Sequence, residues 1–305
     1  MSAAEPHRIK TISEYHHIIG LPRPEHPLIG VINLEEVKRW PKTMPGSRIL
    51  DFYTISLKRN CQGSFKYGQQ QYAMQEGVMF FMAPGQVFAP PVKNPSSPMS
   101  GWALYVHPDF LWNTPLAKGI KRYEYFDYSV NEALMLTEKE EAIIIGVMQN
   151  IQTEYFANTD KFSQDIIISL VEVLLNYADR FYHRQFLARK MENHQVLDRL
   201  EAVLSGYFNS DKLLTVGTPT VQYIAEKLNI SPNYLSSLLK VLTGRNTQQH
   251  IQDKMIDKAK EKISTTELSV SEISYELGFD HPQSFSRLFK AKTGLSPLAF
   301  RQSFN

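Results

Sequence analysis

Apolar and polar positions divide this chain into two regions with different periods. Up to about Asn131 the apolar residues come in short runs rich in β-branched and aromatic side chains, the types that favour pleated strands. Arg48 to Leu57 carries Ile49, Phe52, Tyr53, Thr54, Ile55 and Leu57; Gln69 to Met74, Val78 to Met82 and Trp102 to Val106 are shorter runs of the same kind. Turn-forming clusters separate them at Asn60 to Gly63, Pro84-Gly85 and Pro90 to Pro98. Many short strands so spaced predict a small sandwich or barrel.

From Thr137 the period becomes helical. Thr137 with Glu138 and Glu140 marks a helix start, and Ile143, Ile144, Val147, Met148 and Ile151 form its apolar stripe to near Asn158. A second start at Thr159-Asp160 leads through Phe162, Ile166, Ile167, Leu170, Val171, Leu174 and Tyr177. Two stripes, Ile143-Val147-Ile151 and Ile167-Leu170-Leu174, exceed what one face of a barrel needs, which predicts a homodimer through these helices. Asp179 to Asn193, rich in Arg, His, Lys and Gln, marks a linker region, and the chain beyond it reads as helical to its end.

Within that final stretch a single pattern occurs twice. Ile224 to Gly244, IAEKLNISPNYLSSLLKVLTG, is answered by Ile273 to Gly294, ISYELGFDHPQSFSRLFKAKTG. Pro232 matches Pro282, Ser236 matches Ser286, Leu238-Leu239-Lys240 matches Leu288-Phe289-Lys290, and Thr243-Gly244 matches Thr293-Gly294. Each copy reads as a helix, a tight turn and a second helix opening at proline, the layout whose second helix enters a DNA major groove. Inward spacing of Val221, Ile224, Ala225, Leu228, Leu235, Leu238, Leu239 and Leu242 turns Asn233, Ser236, Ser237 and Lys240 outward. In the second copy Gln283, Ser284, Arg287 and Lys290 point outward, with Lys292 close by. Neither Pro232 to Arg245 nor His281 to Lys292 contains an acid, so the local charge suits a phosphate backbone. A helix from about Thr247 to Ile263, roughly 25 Å long, joins the copies and can set two recognition helices against successive major grooves. Two amphipathic helix pairs could also be a plain bundle; the repetition, the caps and the acid-free faces together favour DNA.

Bulk composition adds bounds. With 305 residues the chain has room for two domains, and 43% hydrophobic with 21% charged residues is ordinary for a globular protein. The net charge of +2 gives no bulk argument for nucleic acid. The single cysteine, Cys61, excludes an intramolecular disulfide and a multi-cysteine zinc site. The opening MSAAEPHRIK lacks a signal-peptide layout, and the best apolar run, Ile166 to Leu175, is interrupted by Glu172, so a cytoplasmic protein with no membrane span is expected.

Residues 195–305 closely resemble the DNA-binding domain of the AraC/XylS family of bacterial transcription regulators. The resemblance rests on Ile273 to Asp280, Gln283 to Lys290, Thr293 to Pro297 and Phe300-Arg301. It implies a sequence-specific regulator of promoters, usually an activator that contacts RNA polymerase, with double-stranded DNA as partner. By the family pattern, base-edge contacts fall on Asn233, Ser236 and Ser237 in the first module and on Pro282, Gln283, Ser284 and Arg287 in the second. Pro282 has no polar side chain, so its role passes to His281 or Gln283. The resemblance also implies an N-terminal sensing domain, a cupin-like β-barrel with trailing helices. Gly77 to Phe88 is similar to a degenerate second cupin motif. The expected architecture is thus α+β in two domains: 1–183 cupin-like, for effector and dimer; 184–194 linker; 195–305 all-α, with modules at 221–244 and 270–294.

A cupin-type metalloenzyme with an appended DNA-binding tail is the alternative. It would need a histidine a few residues past Pro84-Gly85, where Phe88 stands, and a His-x-His pair between Arg48 and Gly77, which is missing. The remaining histidines, among them His16-His17, His26, His107, His183 and His194, form no ligand pattern, so no metal, cofactor or catalytic residue is assigned. A fused cysteine-based DNA-repair function needs a cluster of cysteines and is excluded by Cys61 standing alone. Phe52, Tyr53, Tyr67, Phe80, Phe88, Trp102 and Tyr105 read first as core and second as the lining of a pocket for a small apolar or aromatic effector. Strand alternation prevents all seven from facing one cavity.

Overall fold

Strands form where the β-branched and aromatic runs lie, and further elements precede them. The chain opens with β1 (His7–Ile9), α1 (Ile12–Ile19) and β2 (Ile29–Asn33). Thr11 caps α1 by accepting the Glu14 N–H, and Gly20 ends it at φ 76°. The run at Arg48 to Leu57 is two strands, β3 (Arg48–Leu50) and β4 (Tyr53–Arg59). Then come β5 (Ser64–Tyr67), β6 (Gln70–Ala73), β7 (Val78–Met82), β8 (Val87–Phe88) and β9 (Ser100–Val106), followed by α2 (Pro115–Gly119) and β10 (Leu134–Met135). The structure, a computed structural model, describes residues 6–36, 47–59, 64–67, 70–73, 77–88, 100–128, 132–157, 160–188 and 190–303; at 36, 64–67, 70–73, 88 and 190–194 it describes the backbone alone. The chain divides into two units, Met1–Gln185 and Phe186–Asn305.

In the first unit five strands form one sheet in the order β10-β7-β4-β9-β2, and β1-β3-β8 form a second. Thr54 lies opposite Tyr105 and Met82, and Ser56 opposite Ala103 and Phe80. Alternation puts these side chains on one face of the large sheet and Tyr53, Ile55, Leu57, Phe81, Trp102 and Leu104 on the other. The first face is buried with Ile9, Ile12, Ile19, Leu50 and Phe52, from β1, α1 and the segment from β3 to β4. Against the second face lies the turn Glu124–Asp127, where the Phe81 ring centre is 4.5 Å from that of Tyr125. A closed cupin-like barrel is not seen among the described residues. Their strands form separate sheets of five, three and two strands.

Two long helices complete this unit. Thr137 and Glu140 form a capping box at the start of α3 (Glu138–Phe156), and Asp160 accepts the N–H groups of Phe162 and Ser163 ahead of α4 (Ser163–Ala188). Ile151, Ile167 and Leu174 are buried within the unit, while Phe162, Ile166 and Val173 are exposed, so the outward apolar row is not the expected one. Helix also occupies most of the stretch whose composition suggested a connector. Arg184 donates to both Glu140 carboxylate oxygens at 2.8 Å, and the Met135 N–H donates to the Gln185 side chain at 2.8 Å, tying the end of α4 to α3 and β10.

The second unit is helical throughout: α5 (Lys190–Phe208), α6 (Lys212–Thr215), α7 (Val221–Leu228), α8 (Pro232–Thr243), α9 (Thr247–Thr265), α10 (Val270–Glu276), α11 (Pro282–Thr293) and α12 (Pro297–Gln302). One core runs through it, with Leu204 and Phe208 of α5, Ile224 and Leu228 of α7, Leu235 and Leu239 of α8, and Ile273, Leu277, Phe285 and Phe289 of the second copy. Ile251, Met255, Ile256, Ala259 and Ile263 of α9 belong to that same core. The joining helix is therefore the centre of a single hydrophobic body rather than a free spacer. Salt bridges of Lys254 with Glu201 and of Lys262 with Glu276, the latter at 2.6 Å, attach it to α5 and α10.

Candidate nucleic-acid interface

The repeated sequence folds into a repeated set of helix ends. In the first copy Asn229 takes the left-handed conformation at φ 58° between α7 and α8, and Gly278 takes it at φ 80° after α10. Gly244 and Gly294 close α8 and α11 at φ 74° and 80°. Thr243 and Thr293 do the same work one residue earlier. Each hydroxyl donates to the carbonyl four residues back, Leu239 or Phe289, at 2.8 Å, and accepts the N–H two residues on, Arg245 or Leu295, at 3.2 Å. Carbonyls and amides that a helix terminus leaves orphaned are thus satisfied identically in both modules.

The helix starts differ. Ser231 is buried and accepts the Tyr234 N–H, which gives α8 a side-chain cap. His281 stands at the equivalent place before Pro282 with no side-chain cap bond, and its ring is exposed. Its imidazole is therefore presented to solvent at the leading end of α11.

The two faces expected to meet DNA are unequal. Of the α8 residues expected to meet DNA only Lys240 is exposed; Asn233, Ser236 and Ser237 are half-buried. Ser236 does not point freely outward as its spacing suggested, because its hydroxyl lies 3.0 Å from that of the fully buried Thr247 at the start of α9. Tyr234, which the spacing did not place inside, is buried with its ring centre 5.0 Å from that of Phe186. On α11, Gln283, Ser284, Arg287 and Lys290 are all exposed and Pro282 is half-buried. Gln283 and Arg287 are one turn apart, so a carboxamide and a guanidinium share a face of this helix.

Charge is sorted in the same sense. Several cations away from these faces have anionic or carbonyl partners, Lys254 with Glu201, Lys258 with Glu261, Lys262 with Glu276, Arg301 with the Leu268 carbonyl and Arg199 with the Leu228 carbonyl, while Lys212 and Lys227 lie over the ring of Tyr223. Arg245 and Lys292, at the far ends of α8 and α11, both bind Asp253 of α9, at 2.7 and 2.8 Å. Burial raises the affinity of the Asp253 carboxyl for a proton, but the hydrogen bond and charge of Lys292 together with Arg245 outweigh it and hold the group below its ordinary range. Lys240, Arg287 and Lys290 have no acidic partner among the described residues. The outer sides of α8 and α11 thus carry positive charge that no described acid neutralises, a setting that suits phosphate.

The residues considered for an effector site separate by face. Phe52 and Tyr105 meet, with ring centres 5.7 Å apart, and Phe80 shares their side of the sheet under Lys58. Tyr53 and Trp102 belong to the opposite side, where the Tyr53 ring lies 5.1 Å from Phe126. The side chains of Tyr67 and Phe88 lie outside the described residues, as does Cys61. Four groups assigned no site role from the sequence join Phe52 and Tyr105 here: Tyr15 and His16 on α1, Arg48 on β3 and Thr54 on β4. Burial, reinforced by Tyr15, pushes the Tyr105 phenol well above its ordinary pKa. His16 donates from Nδ1 to the Pro22 carbonyl at 2.8 Å, which leaves Nε2 as an acceptor; neither it nor Thr54 Oγ1 has a hydrogen-bond partner among the described residues. Among the described residues no group of three or more His, Cys, Asp or Glu is arranged to hold a metal ion. No helix among them is long and apolar enough to cross a membrane.

The family described as a helix-turn-helix domain, HTH_18, matches residues 224–303. An HTH-type transcriptional regulator of Bacillus subtilis (strain 168), YfiF, is 26% identical over 259 residues, which cover 83% of this chain and 77% of that protein. The arabinose operon regulatory protein of Escherichia coli (strain K12) is 36% identical over 78 residues, 26% of this chain and 27% of that one. Several other curated relatives are likewise spanned only partially, YtdP of B. subtilis to 11% and YesN to 22% of their length. Among solved structures, the C-terminal domain of AraT, a response regulator from Geobacillus stearothermophilus, has 30% sequence identity and a TM-score of 0.30, covering 35% of this chain and 84% of that one. Residues 224–303 thus form a helix-turn-helix domain of the AraC type, and the relatives it resembles are transcriptional regulators.

Proposed function

We propose that this regulator reads one DNA site with two helices, α8 and α11, laid in successive major grooves, and that α11 supplies most of the base discrimination. The observation that carries this reading is the pairing of two identically terminated helices on one core, with Lys240, Arg287 and Lys290 free of acidic partners among the described residues. Asn233, Ser236, Ser237, His281, Pro282, Gln283 and Ser284 complete the surface. Gln283 and Arg287 suit adenine and guanine edges, whereas the short side chains of α8 offer less direct readout. Selection of duplexes from a random-sequence library by the purified protein, followed by footprinting, tests this. Two protected patches about one helical turn apart on the same side of the duplex support it; a single patch refutes it.

The remaining roles follow from the family resemblance. We infer that the protein acts as an activator through contact with RNA polymerase, works in the cytoplasm, and takes a small effector on the Phe52–Tyr105 side of the large sheet. That side gathers aromatic rings with polar groups in a buried setting, the composition of a small-molecule site. The cupin-type metalloenzyme alternative finds no favour, since the relatives are named for transcriptional regulation. We also infer a homodimer through α4, where the exposed Phe162, Ile166 and Val173 lie along one side of the helix with the half-buried Leu170 and Tyr177.

A further inference from the structure

Neither acid-free module remains without an acid once folded. Asp253, in the second turn of α9, lies between the two copies in sequence and reaches the ends of both in space. Its Oδ2 accepts from Arg245 Nη1 at 2.7 Å, just past the Gly244 that ends α8. Its Oδ1 accepts from Lys292 Nζ at 2.8 Å, in the last turn of α11. Each oxygen is used once, so one carboxylate holds both cations at the same time. The two attachment points are not equivalent in the repeat: Arg245 corresponds to Leu295, and Lys292 to Leu242. The bridge is therefore no by-product of the duplicated sequence.

We propose that Asp253 is a positioning residue, a strut that fixes the C-terminal ends of α8 and α11 relative to each other and thereby the groove spacing that the domain reads. The proposal rests on the two-groove reading above. A single exposed ion pair contributes little to stability, but two pairs on one rigid helix constrain an angle. α9 is well placed to serve, since Ile251, Met255 and Ile256 anchor it in the core around Asp253. In the two-groove geometry the energetic consequence is selective: binding by either module alone is untouched, whereas the gain from engaging both depends on their being pre-set at the right separation.

The test uses the full-length protein and a duplex that the wild type itself selects from a random library. Four duplexes are compared at one salt concentration: the selected one, two in which one or the other half is scrambled, and one with a base pair inserted between the halves. Wild type should bind the selected duplex more tightly than either half-scrambled one and should be weakened by the insertion. Asp253→Asn should bind the half-scrambled duplexes within about twofold of wild type, lose about tenfold on the selected duplex, and suffer less from the insertion. Lys292→Met should behave the same way, and Asp253→Glu should restore some of the gain. Thermal unfolding of each variant establishes that it is folded. The strut is overturned if Asp253→Asn keeps the wild-type gain and insertion penalty, or if it weakens all four duplexes equally. If wild type itself gains nothing from the second half, the two-groove reading fails and the strut with it.

Discussion

A side-chain carbon at Gly278 would lie 2.9 Å from the Cα of Gly217 and 3.1 Å from its carbonyl carbon. The turn of the second module is thus pressed against the segment ahead of α7, backbone on backbone. Gly278 must be glycine for two reasons, this approach and its φ of 80°. Asn229 occupies the same position in the first module at φ 58°, a conformation asparagine tolerates.

The first prediction uses that asymmetry. Gly278→Ala should destabilise the second unit by about 2–4 kcal/mol, combining left-handed strain with overpacking. Asn229→Gly should change stability by less than about 0.5 kcal/mol. Urea unfolding of the two variants checks this, and equal effects would show that the Gly217 approach does not matter.

Ser274 gives a second test drawn from the repeat. It is fully buried on α10, its hydroxyl has no partner among the described residues, and the matching residue of the first copy is Ala225, also fully buried. A buried hydroxyl without a partner costs about 1–3 kcal/mol. Ser274→Ala should therefore raise stability by about 1 kcal/mol and leave DNA binding unchanged. A drop in melting temperature would mean that the hydroxyl has a partner after all.

The third concerns pH. Burial lowers the pKa of His16, and its bond to the Pro22 carbonyl does not compensate; burial lowers that of His26 as well. Both are depressed in the folded state, so the unfolded chain takes up more protons as pH falls below about 6.5, and stability drops through that range. Below the folded-state values the penalty is complete and the dependence flattens. The urea midpoint of the first unit should be lower at pH 5.5 than at 7.5, and His16→Gln should reduce the difference. An unchanged difference would clear His16 of the role.

The homodimer is tested on α4. Leu174 is fully buried, so a glutamate there would unfold the unit whether or not it dimerises. Ile166 and Val173, 44% and 42% exposed, are the informative positions. Ile166→Glu with Val173→Glu should give a folded monomer by analytical ultracentrifugation. A wild type that is already monomeric at micromolar concentration contradicts the dimer.

What could be read from the sequence was what local spacing determines. Pro232 and Pro282, Gly244 and Gly294, and the inward Leu235, Leu238 and Leu239 sit where the repeat put them, because helix ends and helical faces depend on residues within a turn or two, whereas Leu242, expected inside with them, is only half-buried. The strand runs at Val78 to Met82 and Trp102 to Val106 were visible for the same reason. Tertiary partners were not visible. Ser236 has the spacing of an outward residue, yet Thr247 takes its hydroxyl; Asp253 lies outside both modules in sequence and bridges them in space. Tyr53 and Trp102 could not be separated from Phe52 and Tyr105 without the register of β4 on β9, which no residue pattern announces. α1 did carry signals, Thr11 three residues before Glu14 and Gly20 at its end, but at eight residues its periodicity is too short to stand out.

The central claim, that α11 reads base edges, is most directly tested at Arg287. The affinities of wild type and Arg287→Ala are measured at one salt concentration on the selected duplex and on random-sequence DNA. The expected result is a loss of about 1–3 kcal/mol on the selected duplex and a much smaller loss on random DNA. Equal losses on both would make Arg287 a phosphate contact and contradict the claim.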